Sequence, residues 1–228
     1  MIGIYVITLV FAGIGMLVQW RLKSKFQKYS EVGLRNGLSG KEIAEKMLRD
    51  NNIFDVRIMS VEGQLTDHYN PADKTVNLSP DVYQGRSASA AAVAAHECGH
   101  AVQHAVAYSM LQLRSSMVPV LRIANNFMPM ALMVGMMILY STGNKLVLTI
   151  GVAMFAIATL FSLITLPVEF DASRRALAWM ESKNVVTAEE QAMAKDALWW
   201  AAMTYVAAAL GMLAQLLYYV SALNRRND

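Results

Sequence analysis

Cysteine is almost missing from this chain: Cys98 stands alone, so no intrachain disulfide is open to it. Charge is scarce too. Asp, Glu, Lys and Arg make up 16% of the 228 residues, where an ordinary soluble domain carries about a quarter. The net charge of +3 is too small for a nucleic-acid surface, and no basic stripe interleaved with aromatics is present. No internal repeat, low-complexity linker or long charge block divides the sequence, which reads as one folding unit over 1–228. Histidines number four, yet three fall in the eleven residues "AAHECGHAVQH", Ala94 to His104.

What the chain has instead is apolar length. Hydrophobic residues make up 55%, with sixteen methionines that suit lipid-facing or loosely packed helices. Four windows predict membrane spans, at about 1–20, 123–143, 146–168 and 198–222. Each has roughly the 20 residues that a helix needs to cross a hydrocarbon core about 30 Å thick. The first window lacks a basic start and a clear small-residue cleavage site, so it is expected to be a retained anchor, not a signal peptide. Arg21, Lys23, Lys25 and Lys28 follow it at once, which predicts an outer N-terminus and a cytoplasmic segment from Arg21 onward. Arg114 and Arg122, then Arg174 and Arg175, fall on that same inner side, while "STGNK" forms an outer turn. The tail "NRRND" alone runs against the rule, since a fourth crossing leaves it outside.

The expected architecture is therefore a mainly α membrane protein with a small α+β element, its cytoplasmic parts being about 21–117 and 169–196. In "LSGKEIAEKMLRDN", Ser39 and Glu42 have capping-box spacing, and Ile43, Met47 and Leu48 share one helical face. "VRIMSVEG" and "KTVNLS" read as short strands, with "QLTDHYNP" as a turn or loop between them. From about Ser87 to Tyr108 the Ala-rich run reads as one long helix.

That helix carries His96-Glu-Cys-Gly-His100. Residues four apart lie one turn apart on one face, so both imidazoles can aim at one ion, and the Glu97 carboxylate beside them can act as general base. His104 is set aside as the third ligand. It lies about 12 Å along the axis from His96, whereas zinc–nitrogen bonds are about 2.0–2.1 Å. His68 is expected to be structural or near substrate. Glu169, in "LPVEFDASRRAL", is the better third ligand, because two crossings separate it from His100 and an even number returns it to the same side. Gly99 inside the motif costs about 1 kcal/mol against Ala, so a close neighbour is expected there. Cys98 is expected to pack in the core.

Four segments together resemble the YugP-type bacterial membrane zinc metallopeptidases: "LTDHYNPADKTVNLSPDVY", "AVAAHECGHAVQHAVAYSMLQLRSSMVPV", "LPVEFDASRRAL" and "AAMTYVAAAL". The resemblance runs over nearly the whole chain. It implies a multi-pass protein with a gluzincin-like centre, one zinc per chain held by His96, His100 and Glu169, with Glu97 as base. "EF-x-A" also looks like the start of the HtpX-type motif. In that family an Asp four residues after the ligand Glu supports a metal-bound His. Here Ser173 occupies that position and Asp171 is displaced by two residues.

The expected function is endopeptidase action at the inner face of the cell membrane, through water bound to zinc and activated by Glu97. Peptides or membrane proteins are the expected substrates, the bilayer the expected surroundings, and nucleic acid is not expected as a partner. His104, Asp171, Ser173, Arg174, Arg175 and Tyr205 are candidates for supporting the ligands or the oxyanion. The strand Val76, Asn77, Leu78 and Ser79 is a candidate for pairing with substrate backbone. Two other readings stay open: a zinc-stabilised membrane scaffold without activity, and an intramembrane protease with the motif inside a span.

Overall fold

The computed structural model describes residues 2–224, so the end of the tail, 225–228, lies outside the described residues. Seven helices and three strands follow in chain order. They are α1 (Ile2–Ser30), α2 (Gly40–Asp50), β1 (Arg57–Ser60), β2 (His68–Asn70), β3 (Thr75–Leu78), α3 (Pro80–Tyr83), α4 (Ala88–Ala105), α5 (Ser109–Thr142), α6 (Leu146–Ser182) and α7 (Ala188–Asn224). The protein is mainly helical, and α1, α5, α6 and α7 are long and apolar enough to cross a membrane. All four run past the windows read from hydropathy, because no helix-breaking turn separates the apolar stretch from the charged one that continues it.

Contacts divide the chain into two compact units. The first takes residues up to Leu17, Leu113–Leu166 and the part of α7 from Thr204. Its core is Leu132, Met136 and Leu139 of α5 against Leu148, Val152 and Phe155 of α6. Gly135 makes this pairing close, since a Cβ there would fall 2.5 Å from the Leu148 backbone. Small residues let membrane helices approach in this way. Large apolar side chains face outward, Leu9 at 71% and Met137 at 66% exposure among them, as hydrocarbon solvent permits.

The second unit takes Val18–Gln112 and Pro167–Met203. The Ser39 side chain caps α2 by accepting from the Glu42 amide, and Glu42 returns a bond to the Ser39 amide at 2.7 Å, as the spacing predicts. The sheet order is β1-β3-β2, with β1 parallel and β2 antiparallel to β3. Two strands match the β-prone runs, but β2 lies inside the stretch read as a loop. Three residues are too few to show a period of two. The turn chemistry was legible, however: Asn70 Oδ1 accepts from the Ala72 amide and starts the reversal into β3.

Helix α4 is the centre of this unit. Alanine on nearly every face lets α2, α3, β2 and β3 all close on it, and thirteen of its residues from Ala88 to Val102 are buried. It stops at Ala105, short of the expected Tyr108, because Ala107 turns to a positive φ of 53° before α5 begins. Ile43, Met47, Val76, Leu78, Cys98 and Met180 complete the core around it.

Candidate metal centre

His96 and His100 lie one turn apart on α4, and Glu169 lies on α6, all within the second unit. One ligand atom from each falls within 4.8 Å of the other two. Glu169 Oε2 is 3.3 Å from His96 Nε2 and 3.5 Å from His100 Nε2. A tetrahedral ion with bonds of about 2.1 Å would hold its ligand atoms about 3.4 Å apart. The spacing therefore fits zinc, and so does the donor set of two imidazoles and one carboxylate. The two rings stand nearly perpendicular, at 86°, so their Nε2 atoms converge without stacking. Burial works against charge on His100, but the Glu169 carboxylate beside it prevails and holds its pKa above the ordinary value. The position favours a cation.

Two glycine and proline choices shape this meeting. A Cβ on Gly99 would lie 2.5 Å from the Ala172 carbonyl oxygen, so only glycine lets α4 lie this close to α6. Pro167 lies inside α6, two residues before Glu169, and removes the backbone donor that would serve the Leu163 carbonyl.

The far nitrogens are held as well. Ser173 Oγ is 3.1 Å from His96 Nδ1, so the residue standing where the HtpX-type pattern has Asp does contact an imidazole. Gln103 Oε1 is 3.0 Å from His100 Nδ1. Asp171 touches neither imidazole. It accepts from Gln103 at 2.9 Å, from Arg175 at 2.5 Å and from Arg174. The sequence reading missed Gln103, although its place three residues after His100, on the same face, was a usable signal.

The other candidates have partners and surroundings of their own. His104 is exposed and meets the Tyr69 hydroxyl at 2.7 Å. His68 donates to the Thr66 carbonyl from Nδ1 and meets the Asn77 amide with Nε2. Both Arg174 and Arg175 are engaged by Asp171, and Arg175 also stacks over Tyr108. Tyr205 belongs to the other unit, on α7, and is partly exposed. Glu97, the next residue after His96, is buried, at 8% exposure.

The strand Val76–Ser79 corrects its expected role. β3 is the middle strand: Val76 and Asn77 pair with Ile58 and Met59 on one side and with Tyr69 and His68 on the other. Leu78 pairs with Ser60, while Ser79 is held by Asp67 through both its amide and its hydroxyl. Both edges are filled there, leaving no ladder for a substrate; the outer edges belong to β1 and β2.

The Bacillus subtilis (strain 168) protein named "Putative membrane protease YugP" is 41% identical over 223 residues, which cover 97% of each chain. No solved structure matches. The family described as "Putative neutral zinc metallopeptidase" matches residues 4–224, a stretch that holds all three converging side chains, and the chain belongs to that family.

Proposed function

We propose that this protein is a zinc-dependent endopeptidase of the membrane's inner face, with one zinc per chain. The carrying observation is the meeting of His96 Nε2, His100 Nε2 and Glu169 Oε2, the oxygen at tetrahedral spacing from both nitrogens, with Glu97 on the helix of the two histidines. Bound zinc supplies Lewis acidity, which lowers the pKa of water and polarises a peptide carbonyl. The residues do the rest. His96 and His100 present Nε2 lone pairs, and Glu169 balances charge. The Glu97 carboxylate takes the proton of the attacking water and passes it to the leaving amine nitrogen.

An open groove of about 630 Å³ between α6 and α7 has Ser173 in its wall, the same residue whose hydroxyl touches His96 Nδ1. Phe170, Leu177, Leu198 and Trp199 make it apolar, which suits a hydrophobic side chain of a peptide or membrane-protein substrate. The inner-face location rests on Arg21, Lys23, Lys25 and Lys28 after the first apolar run. Neither alternative is favoured. A structural zinc has no use for Glu97, and α4 is enclosed by protein and is not one of the four long apolar helices.

Glu97→Gln tests the reading. The variant is expected to keep its zinc and lose hydrolysis of an unstructured protein substrate by roughly 10²–10⁴-fold, the contribution typical of a general base. Undiminished hydrolysis in Glu97→Gln would remove Glu97 from the chemistry. A zinc-loaded wild type that cleaves no peptide, alone or in membranes, would favour the scaffold.

A further inference from the structure

Gln103 is fully buried, and its amide meets three partners. Nε2 donates to the Val168 carbonyl at 2.8 Å and to Asp171 Oδ2 at 2.9 Å, while Oε1 faces His100 Nδ1 at 3.0 Å. The first two partners only accept. Val168 offers a carbonyl oxygen, and Asp171 is a carboxylate clasped by Arg174 and Arg175. Turning the amide over would set its oxygen against two acceptors and forfeit both bonds. The amide therefore has one orientation, and Oε1, which carries no proton, must receive one. In its neutral form His100 has to bear its hydrogen on Nδ1, which leaves the Nε2 lone pair directed at the cluster.

His96 has no such constraint, since the Ser173 hydroxyl can rotate to donate or to accept. We propose that Gln103 is a positioning residue that dictates the ligating tautomer of His100, with Asp171 as the anchor that keeps the Gln103 amide from flipping. This rests on the zinc-site reading above. The chain Arg175–Asp171–Gln103–His100 also joins the two helices that carry the ligands, so the device that sets the proton sets the spacing between α4 and α6.

The full-length protein, purified in detergent, gives two readouts. In the zinc-free wild type at alkaline pH, nitrogen-15 spectra of the histidines are expected to place the His100 proton on Nδ1. A proton on Nε2 would overturn the proposal whatever the zinc result. Zinc affinity by chelator competition is the second. Gln103→Met keeps the volume without the acceptor, and zinc is expected to bind about 10–100-fold more weakly. Gln103→Glu sets a carboxylate against Asp171 and is also expected to weaken binding. Adding Asp171→Asn returns a donor between them and should recover about tenfold.

Wild-type affinity in Gln103→Met, or no recovery in the paired variant, would reduce Gln103 to packing. If Gln103→Met does not fold, the wild-type nitrogen spectrum decides alone. A wild type with Nδ1 protonated that binds no zinc would reject the metal reading and leave the tautomer assignment standing.

Discussion

Gly99 sits between His96 and His100, and a methyl group on it would press 2.5 Å from the Ala172 carbonyl oxygen. Backbone cannot rotate away as a side chain can. In a free helix, Gly99→Ala would gain about 1 kcal/mol. Overpacking of a filled interior costs about 1–3 kcal/mol, so the clash is expected to win. The variant should melt below wild type and lose hydrolysis more steeply than stability, because α4 and α6 carry opposite halves of the cluster. A higher melting temperature in Gly99→Ala would contradict the close approach. Gly99 was legible as an anomaly from its helix cost alone, but its partner, 73 residues away, was not. Ser173 teaches the converse. It stands where the HtpX-type pattern has a carboxylate, yet its hydroxyl reaches His96 Nδ1.

Among the elements, α7 begins with a device not read from the sequence, although Thr187-Ala-Glu-Glu190 has its spacing. Glu190 accepts from the Thr187 amide at 2.7 Å, and its own amide reaches the Thr187 hydroxyl. Its other oxygen accepts from the Arg35 amide at 2.7 Å, so one carboxylate both caps α7 and ties down the segment before α2. Glu190→Ala is expected to cost about 1–3 kcal/mol, the range for losing a cap and leaving donors unmet. The exposed neighbour Glu189→Ala should change little. Chemical unfolding of both variants checks this, and equal losses would mean the capping bonds contribute nothing particular.

The amphipathic α2 and the helical motif of α4 were legible because their patterns repeat within a turn or two. β2 was not, being defined by its partner β3 and not by itself.

At the scale of the whole molecule, the lone cysteine makes orientation measurable. Burial pushes the Cys98 thiol well above its ordinary pKa, and the side chain is fully enclosed, so it should give no labelling background. On the inner-face reading, Ser141→Cys near the end of α5 is expected to label with a membrane-impermeant maleimide on intact cells. Ser60→Cys on β1 should label only after permeabilisation. The reverse pattern would place the metal centre outside the cell and overturn the inner-face reading.

The residue order alone determined the four long apolar helices, the capped α2 and the pair of imidazoles on one helical face. Each of these is a matter of composition or of spacing within a few residues, and such signals are local. Parity of crossings argued that Glu169 and His100 share a side, and the two side chains do meet. Only the tertiary structure decided how far Glu169 lies from His96 and His100, that β3 has both edges filled, and which groups hold the outer imidazole nitrogens. Those depend on helices meeting side by side from distant parts of the chain, where half an ångström separates a ligand from a bystander and no periodicity records the distance.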